Sequence, residues 1–397
     1  MHEPPPPGSD PDRPVHIVFV GAGAVGCFYA SRLHYPTHNI HTSLIARSNY
    51  KALAADGVKL QTHTFGNYTF IPDAVFPSVA AATAAPISPN GSTRDWDFVI
   101  VTTKALPDQS DDTALIAPLV GPRTCIVLIQ NGVGVEAPYR ARFPTNPTVS
   151  AVTVISAEQT SPGTVRQNRW TRIHLGPYSD SASFSASSPV LVDNGGGEAT
   201  TTAVGATVAN PTPAISPAAA ADLQARGAAR AAELADWWTR LGGIRDVALS
   251  DEVGLQMVRW HKLCINAAFN PSAVLSGGRG NADMARDPEL RVHLLGVMRE
   301  IWGAAPGVLG RAFDEKEMAT PEGILRSSER NVGSKPSMLL DWEAGRAMEI
   351  EVILGNPVRI ARAKGVELGR LQSLYALLRS AQEVRERERA KGGKGKL

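Results

Sequence analysis

The chain has 397 residues, a formal net charge of +2, 43% hydrophobic residues and 20% charged residues. That length buries a substantial core, in two domains by expectation, and the balanced charge gives no case for a nucleic-acid or membrane-surface partner. The three cysteines, Cys27, Cys125 and Cys264, form no CxxC pair and read as buried reduced thiols of a cytoplasmic protein; no stretch approaches the roughly 18 apolar residues of a membrane span.

Residues 1–13 are proline-rich and polar, lack the pattern of a secretory signal and read as a disordered lead-in. The stretch VHIVFVGAGAVGCFYASRL, Val15 to Leu33, follows as an apolar strand, a glycine turn and a helix. Gly21, Ala22, Gly23, Ala24, Val25 and Gly26 carry the GxGxxG spacing in the context that gives it meaning. The first glycine makes a tight turn, the second lets the backbone approach a pyrophosphate, and the third allows close helix–strand packing. The helix N-terminus offers N–H groups and a positive dipole end to phosphates. A methyltransferase, which uses a similar turn, is the chemical competitor at this point.

A second strand is expected at His41–Ala46. NAD-preferring sites carry an acid near its end, about 20 residues beyond the glycines. Here Arg47 stands in that place and the nearest acid, Asp56, lies further on, so the sequence favours NADP(H), with the guanidinium on a 2′-phosphate. Val79–Thr93 reads as a loop. Asp95–Lys104 and Thr124–Gly132 are buried parallel-type strands whose ends, Lys104 and Asn131, fall where an open α/β sheet binds cofactor or substrate. Further strands are expected at Thr148–Ile155 and Thr164–Leu175. Ser179–Arg230 is a low-complexity insertion, mobile in much of its length, whose alanine-rich end from Pro217 can begin a helix. An amphipathic helix follows to Leu241.

From Asp251 the pattern is helical, with helices expected at Glu252–Asn270, Pro288–Val308, Pro321–Arg330, Leu339–Lys364 and Leu371–Arg389, and a basic tail over 386–397. Within RWHKLCINAAFNP, Arg259 to Pro271, the residues Lys262, Asn266 and Asn270 recur every four positions and share one helix face amid apolar neighbours. Such a seam suits a cleft: an ammonium can stabilise charge on a reduced carbonyl oxygen and donate its proton, while amides hold neutral polar groups. His34 and His38 have metal-ligand spacing, but Pro36 between them disfavours a regular helix, and no metal site is expected.

The motifs GAGAVG, Thr103-Lys104, Gln130-Asn131-Gly132, W-x-K-x3-N-x3-N at Trp260–Asn270 and S-M-x2-D-x3-G-R-x2-E at Ser337–Glu349 come in the order found in ketopantoate reductases, and the chain resembles that family over both halves. The resemblance implies an α/β N-terminal Rossmann domain followed by an all-helical C-terminal domain, here residues 14–250 (with the insertion 179–230) and 251–385, and NADPH-dependent reduction of 2-dehydropantoate to (R)-pantoate on the way to pantothenate and coenzyme A. It implies Lys262 as proton donor, Glu349 on the substrate's hydroxyl side, and Asn266, Asn270 and Ser337 as substrate grips. Lys104 and Asn131 would line the crevice near nicotinamide and substrate. Departures at Met348, Glu351, Leu354 and Gly369 leave open a relative acting on another 2-oxo acid, and an inactive NADP-binding regulatory protein is the reading from a different class. Monomer and homodimer are both compatible with the sequence.

One geometric expectation follows. Ser337 and Glu349 are twelve positions apart, about 18 Å along a straight helix. For both to serve one small acid the helix must break between them, and Gly345 is the place.

Overall fold

A computed structural model of the chain describes residues 13–85, 95–180 and 215–393. Most of the lead-in, part of the expected loop after Val79 and most of the insertion lie outside the described residues. Among those described, ten strands form one sheet: β1 (Val15–Val20), β2 (Ile40–Ile45), β3 (Val58–Thr62), β4 (Gly66–Phe70), β5 (Val75–Phe76), β6 (Phe98–Val101), β7 (Cys125–Leu128), β8 (Thr148–Ser161), β9 (Thr164–Tyr178) and β10 (Val247–Leu249). The order is β4-β3-β9-β8-β7-β6-β1-β2-β5, with β10 beside β9. β5 to β8 across this order pair in parallel, while β3–β4 and β8–β9 are antiparallel hairpins.

The parallel strands are short runs of Val, Ile, Leu and Phe because they are covered on both faces; every residue of β6 and β7 is buried. The chain passes from β1 to β2 on one side and later to β6 on the other, so the order reverses beside the C-terminal end of β1. That reversal opens a crevice between the loops following β1, β6 and β7.

After β10 the chain is helical: Glu252–Leu275, Asn281–Arg286, Pro288–Leu309, Pro321–Glu329, Ser337–Glu343, Asn356–Ala363 and Gly369–Gly393. Its apolar core takes in Trp260, Leu263 and Cys264 of the first helix, and also Ala105, Val133 and Val135 from the loops of the sheet half. The three cysteines are buried free thiols, and burial pushes Cys27 and Cys264 up to about 12.

Several expectations need correction. Val79–Ala84 is a helix, capped by the Ser78 side chain on Ala81 N–H, so the loop begins later than its composition suggested. The helix expected to begin at Pro217 does so, and it runs unbroken over Pro217–Asp236 into the stretch expected as a separate amphipathic helix. Arg13, assigned to the lead-in, is tied to Asp97 at 2.8 Å. The tail is no coil through 393: the last helix continues to Gly393, with Arg389 donating to Gly345 O.

The single helix expected over Leu339–Lys364 is instead two. Helix Ser337–Glu343 stops at Gly345, whose φ of +62° lets Gly345 N–H donate to Trp342 O and Arg346 N–H to Asp341 O. This is a Schellman ending with glycine in the left-handed position. Helical structure resumes with a π-helical turn, Glu351–Gly355, that runs into Asn356–Ala363. In π register the carbonyl of Val352 would need the N–H of residue 357, a proline that has none. Val133 N–H takes its place at 2.9 Å, and the Asn356 amide donates back to Val133 O.

Candidate active site

β1 gives way to the glycine turn at Gly21, where φ is +111°. A Cβ there would stand 2.8 Å from Thr103 N, and one on Gly26 2.5 Å from Thr102 Oγ1, so both positions need glycine for close packing. Gly23 differs: among the described residues nothing lies within 4 Å of where its Cβ would be. It holds the N-cap position of helix Ala24–Ser31 with no side-chain cap. Gly21 N–H is taken by Ile45 O at 3.2 Å, so Gly21 and Gly26 shape the turn, while Gly23 and the first turn of the helix, from Ala24, present an uncapped, positive helix end that fits a pyrophosphate passing over Ala22 to Val25. Asn49, which sequence reasoning did not single out, donates to Ala22 O at 3.0 Å and exchanges hydrogen bonds of 2.8 and 2.6 Å with Gln159 of β8. Arg47 is exposed just past β2, and its charge reaches Asp112 beneath Thr103.

Across the crevice, Lys262 Nζ donates to Asn131 Oδ1 at 2.8 Å, and Asn131 Nδ2 donates to Glu349 Oε2 at 3.1 Å. Glu349 Oε1 accepts from Ala105 N–H at 3.2 Å. The strand end after β7, the helix Glu252–Leu275 and the segment released by Gly345 thus meet at one amide. Burial, with the like charge of Arg259, pulls the Lys262 ammonium down to about 8 against the opposing pull of Glu349. Burial pushes the Glu349 carboxyl up, while Asn131, Ala105 N–H and Lys104 hold it down. An ammonium softened in this way is suited to giving up a proton near neutral pH.

Asn266 lines the same cavity as Lys262, Asn131, Gly132 and Val152. Lys104 reaches across to pair with Asp341, which Arg346 also holds at 3.0 Å. Asn270 and Ser337 meet each other instead of Lys262. Asn270 is buried, and its Oδ1 accepts from Met338 N–H at 3.2 Å and stands 3.5 Å from Ser337 Oγ, so it caps the helix that Ser337 begins. Asn270 lies two turns, about 12 Å, beyond Lys262 on its helix. The break at Gly345 is present, so Ser337 and Glu349 both remain candidates.

Arg259 was missed. It is buried one turn before Lys262, and its guanidinium donates to Gln130 O and Gly132 O at 2.9 Å each. The signal was a charged residue in an apolar stripe with Leu255, Trp260 and Leu263, matched by Glu136 in the apolar run after Gly132.

Residues 17–180 match the family described as Ketopantoate reductase PanE/ApbA, and residues 255–382 match its C-terminal domain. The chain belongs to the ketopantoate reductase family. Its structure resembles 2-dehydropantoate 2-reductase from Methylococcus capsulatus at a TM-score of 0.69 and 29% identity, covering 94% of this chain and 97% of that one. Among sequences, it is 26% identical to Uncharacterized protein YDL144C of Saccharomyces cerevisiae over 91% of this chain and 92% of that one. It is 23% identical to the 2-dehydropantoate 2-reductase of Nostoc over 91% and 93% of the two chains. The departures from the ketopantoate reductase pattern do not face the cavity: Met348 and Leu354 are fully buried in the helical core, and Glu351 pairs with Arg359 at 2.7 Å.

Proposed function

We propose that the protein is an NADPH-dependent reductase that converts 2-dehydropantoate to (R)-pantoate, in pantothenate and coenzyme A synthesis. The observation that carries this reading is the chain of hydrogen bonds from Lys262 Nζ through Asn131 to Glu349, at the mouth of the crevice that also holds the glycine turn. Reduced nicotinamide, when bound, supplies the hydride. Gly21 to Gly26 would hold the pyrophosphate, with Arg47 on the 2′-phosphate and Lys104 and Asn131 near the nicotinamide. Lys262 donates the proton to the ketone oxygen and stabilises charge on it beforehand. Asn131 holds the ammonium in place; Glu349 anchors Asn131 and receives the substrate hydroxyl. Asn266, Asn270 and Ser337 hold the remaining polar groups of the acid.

The deciding experiment is loss of reduced-nicotinamide absorbance with 2-dehydropantoate beside a panel of branched and aromatic 2-oxo acids. Preferred turnover of 2-dehydropantoate supports the proposal. Preference for another acid assigns a different substrate to the same chemistry, and NADPH binding without turnover of any acid supports the regulatory reading.

Cofactor choice has its own test. Arg47→Ala is expected to weaken NADPH by roughly 10- to 100-fold, the scale of one lost charge-assisted phosphate contact, and to leave NADH within about twofold. Equal effects on both dinucleotides in a fluorescence titration would remove Arg47 from the phosphate site.

A further inference from the structure

We infer that Arg259 is a positioning residue for the proton donor, acting through the Gln130–Asn131–Gly132 turn. The inference rests on the reading of Lys262 as that donor. Asn131 is the joint of the site, since one end of its amide holds Lys262 Nζ and the other holds Glu349. A side-chain amide serves two partners only if its backbone is held still. The backbone carbonyls on either side of Asn131, Gln130 O and Gly132 O, both accept from Arg259 Nη1 at 2.9 Å. The other arm, Nη2, donates to Ser150 Oγ at 2.5 Å and Ala151 O at 3.3 Å on β8. Nε stands 3.0 Å from Glu136 Oε1 as an ion pair, without the alignment of a hydrogen bond, and that oxygen accepts from Ser150 Oγ at 2.6 Å and Gln256 Nε2 at 3.0 Å.

Arg259 and Glu136 are respectively 3% and 1% exposed. A buried ion pair adds little net stability over well-packed apolar side chains. The use of one here points to geometry that a greasy contact cannot impose. A planar fork can serve the turn and β8 together; a point charge on a flexible stem cannot. Because Arg259 lies one helical turn before Lys262, the same helix that carries the ammonium also grips the turn that receives it. The helix and the turn are thereby locked in register.

Among the described residues, the charges acting on Lys262 are those of Arg259 and Glu349. Arg259 lies on its own helix, Glu349 on the segment after Gly345, and Lys104 and Asp341 behind Glu349; the β7 turn contributes only the neutral Asn131. His261, the neighbour on the helix, turns away to pack on Trp302 and Phe313. Removing Arg259 therefore removes the like charge nearest the ammonium.

Two variants test this. Arg259→Lys retains the charge and loses the fork. Arg259→Met with Glu136→Gln removes both charges without leaving a buried carboxylate unpaired, and guards against loss of folding; circular dichroism and melting confirm that each variant is native. Both should lower kcat by about tenfold or more, with KM for the 2-oxo acid and the NADPH dissociation constant within about threefold. The double variant should also move the alkaline limb of kcat, and the pH midpoint of Lys262 acetylation by acetic anhydride followed by mass spectrometry, upward by about half a unit or more. Arg259→Lys should leave that midpoint in place. Unchanged kcat in both native variants, or a loss in the double variant with an unmoved labelling midpoint, overturns the inference. The labelling needs no substrate: if wild type turns over no 2-oxo acid, the functional reading fails, and the midpoint still reports whether Arg259 bears on Lys262.

Discussion

Lys262→Ala is expected to reduce kcat by roughly 10²- to 10⁴-fold, the range associated with a positioned general acid, while NADPH affinity stays within about threefold. The separation follows from geometry. Lys262 Nζ is engaged with Asn131, across the crevice from the glycine turn, and the helix end at Gly23 is formed without it. Its pH signature has a definite sign. A proton donor works in its protonated form, so kcat should be flat below the ammonium's pKa and fall as pH rises through it. Burial and Arg259 bring that value down to about 8 from 10.5, so the decline should begin near pH 8. Glu349 works in the opposite sense; Glu349→Gln should move the decline to lower pH. A Lys262→Ala variant losing NADPH binding and turnover in parallel, or a wild-type rate that holds steady through pH 10, would contradict the assignment.

The second large effect is expected at Gly132. Gly132→Ala should lower kcat/KM by about 100-fold, the scale set by misplacing a catalytic group by an ångström, and should lower the melting temperature as well. Two independent causes act together. The residue has φ of +85°, where an alanine carries strain of about 1–3 kcal/mol. A Cβ there would also stand 2.5 Å from the Cβ of Val352 and closer still to its carbonyl oxygen. That oxygen accepts from Val133 N–H, so the turn and the π-helical segment must part to admit the methyl. Asn131 sits next to the displaced residue and moves with it. Activity and melting temperature near wild type would show that the two segments have slack which their packing does not suggest.

What the sequence revealed was local. The glycine turn, the buried runs of β1, β2, β6 and β7 and the face shared by Lys262 and Asn266 are set by residues within a turn or strand of each other. The stop at Gly345 was reached another way: the local pattern reads as one helix over Leu339–Lys364, and the break was required only if Ser337 and Glu349 were to serve one small acid. What escaped depended on distant partners. β3 pairs with β4 on one side and with β9 on the other, and β8 and β9 run to 14 and 15 residues because each supplies the other's ladder. The role of Arg259 is visible only once Glu136, Gln130 and Gly132 are brought to it from more than 120 positions away. Asn270 and Ser337 share a motif order with Lys262 but meet each other through a capping contact, a distinction that spacing along a helix does not carry.

The apolar cluster that recruits Ala105, Val133 and Val135 across the crevice has a consequence for the chain as a folding unit. A polypeptide ending after Leu249 would turn these side chains toward water and leave to solvent the main-chain groups that Arg259 and Val352 now satisfy. The sheet half therefore relies on the helices to cover that apolar patch. The molecule gains its final tertiary order only when synthesis has delivered the last third of the sequence.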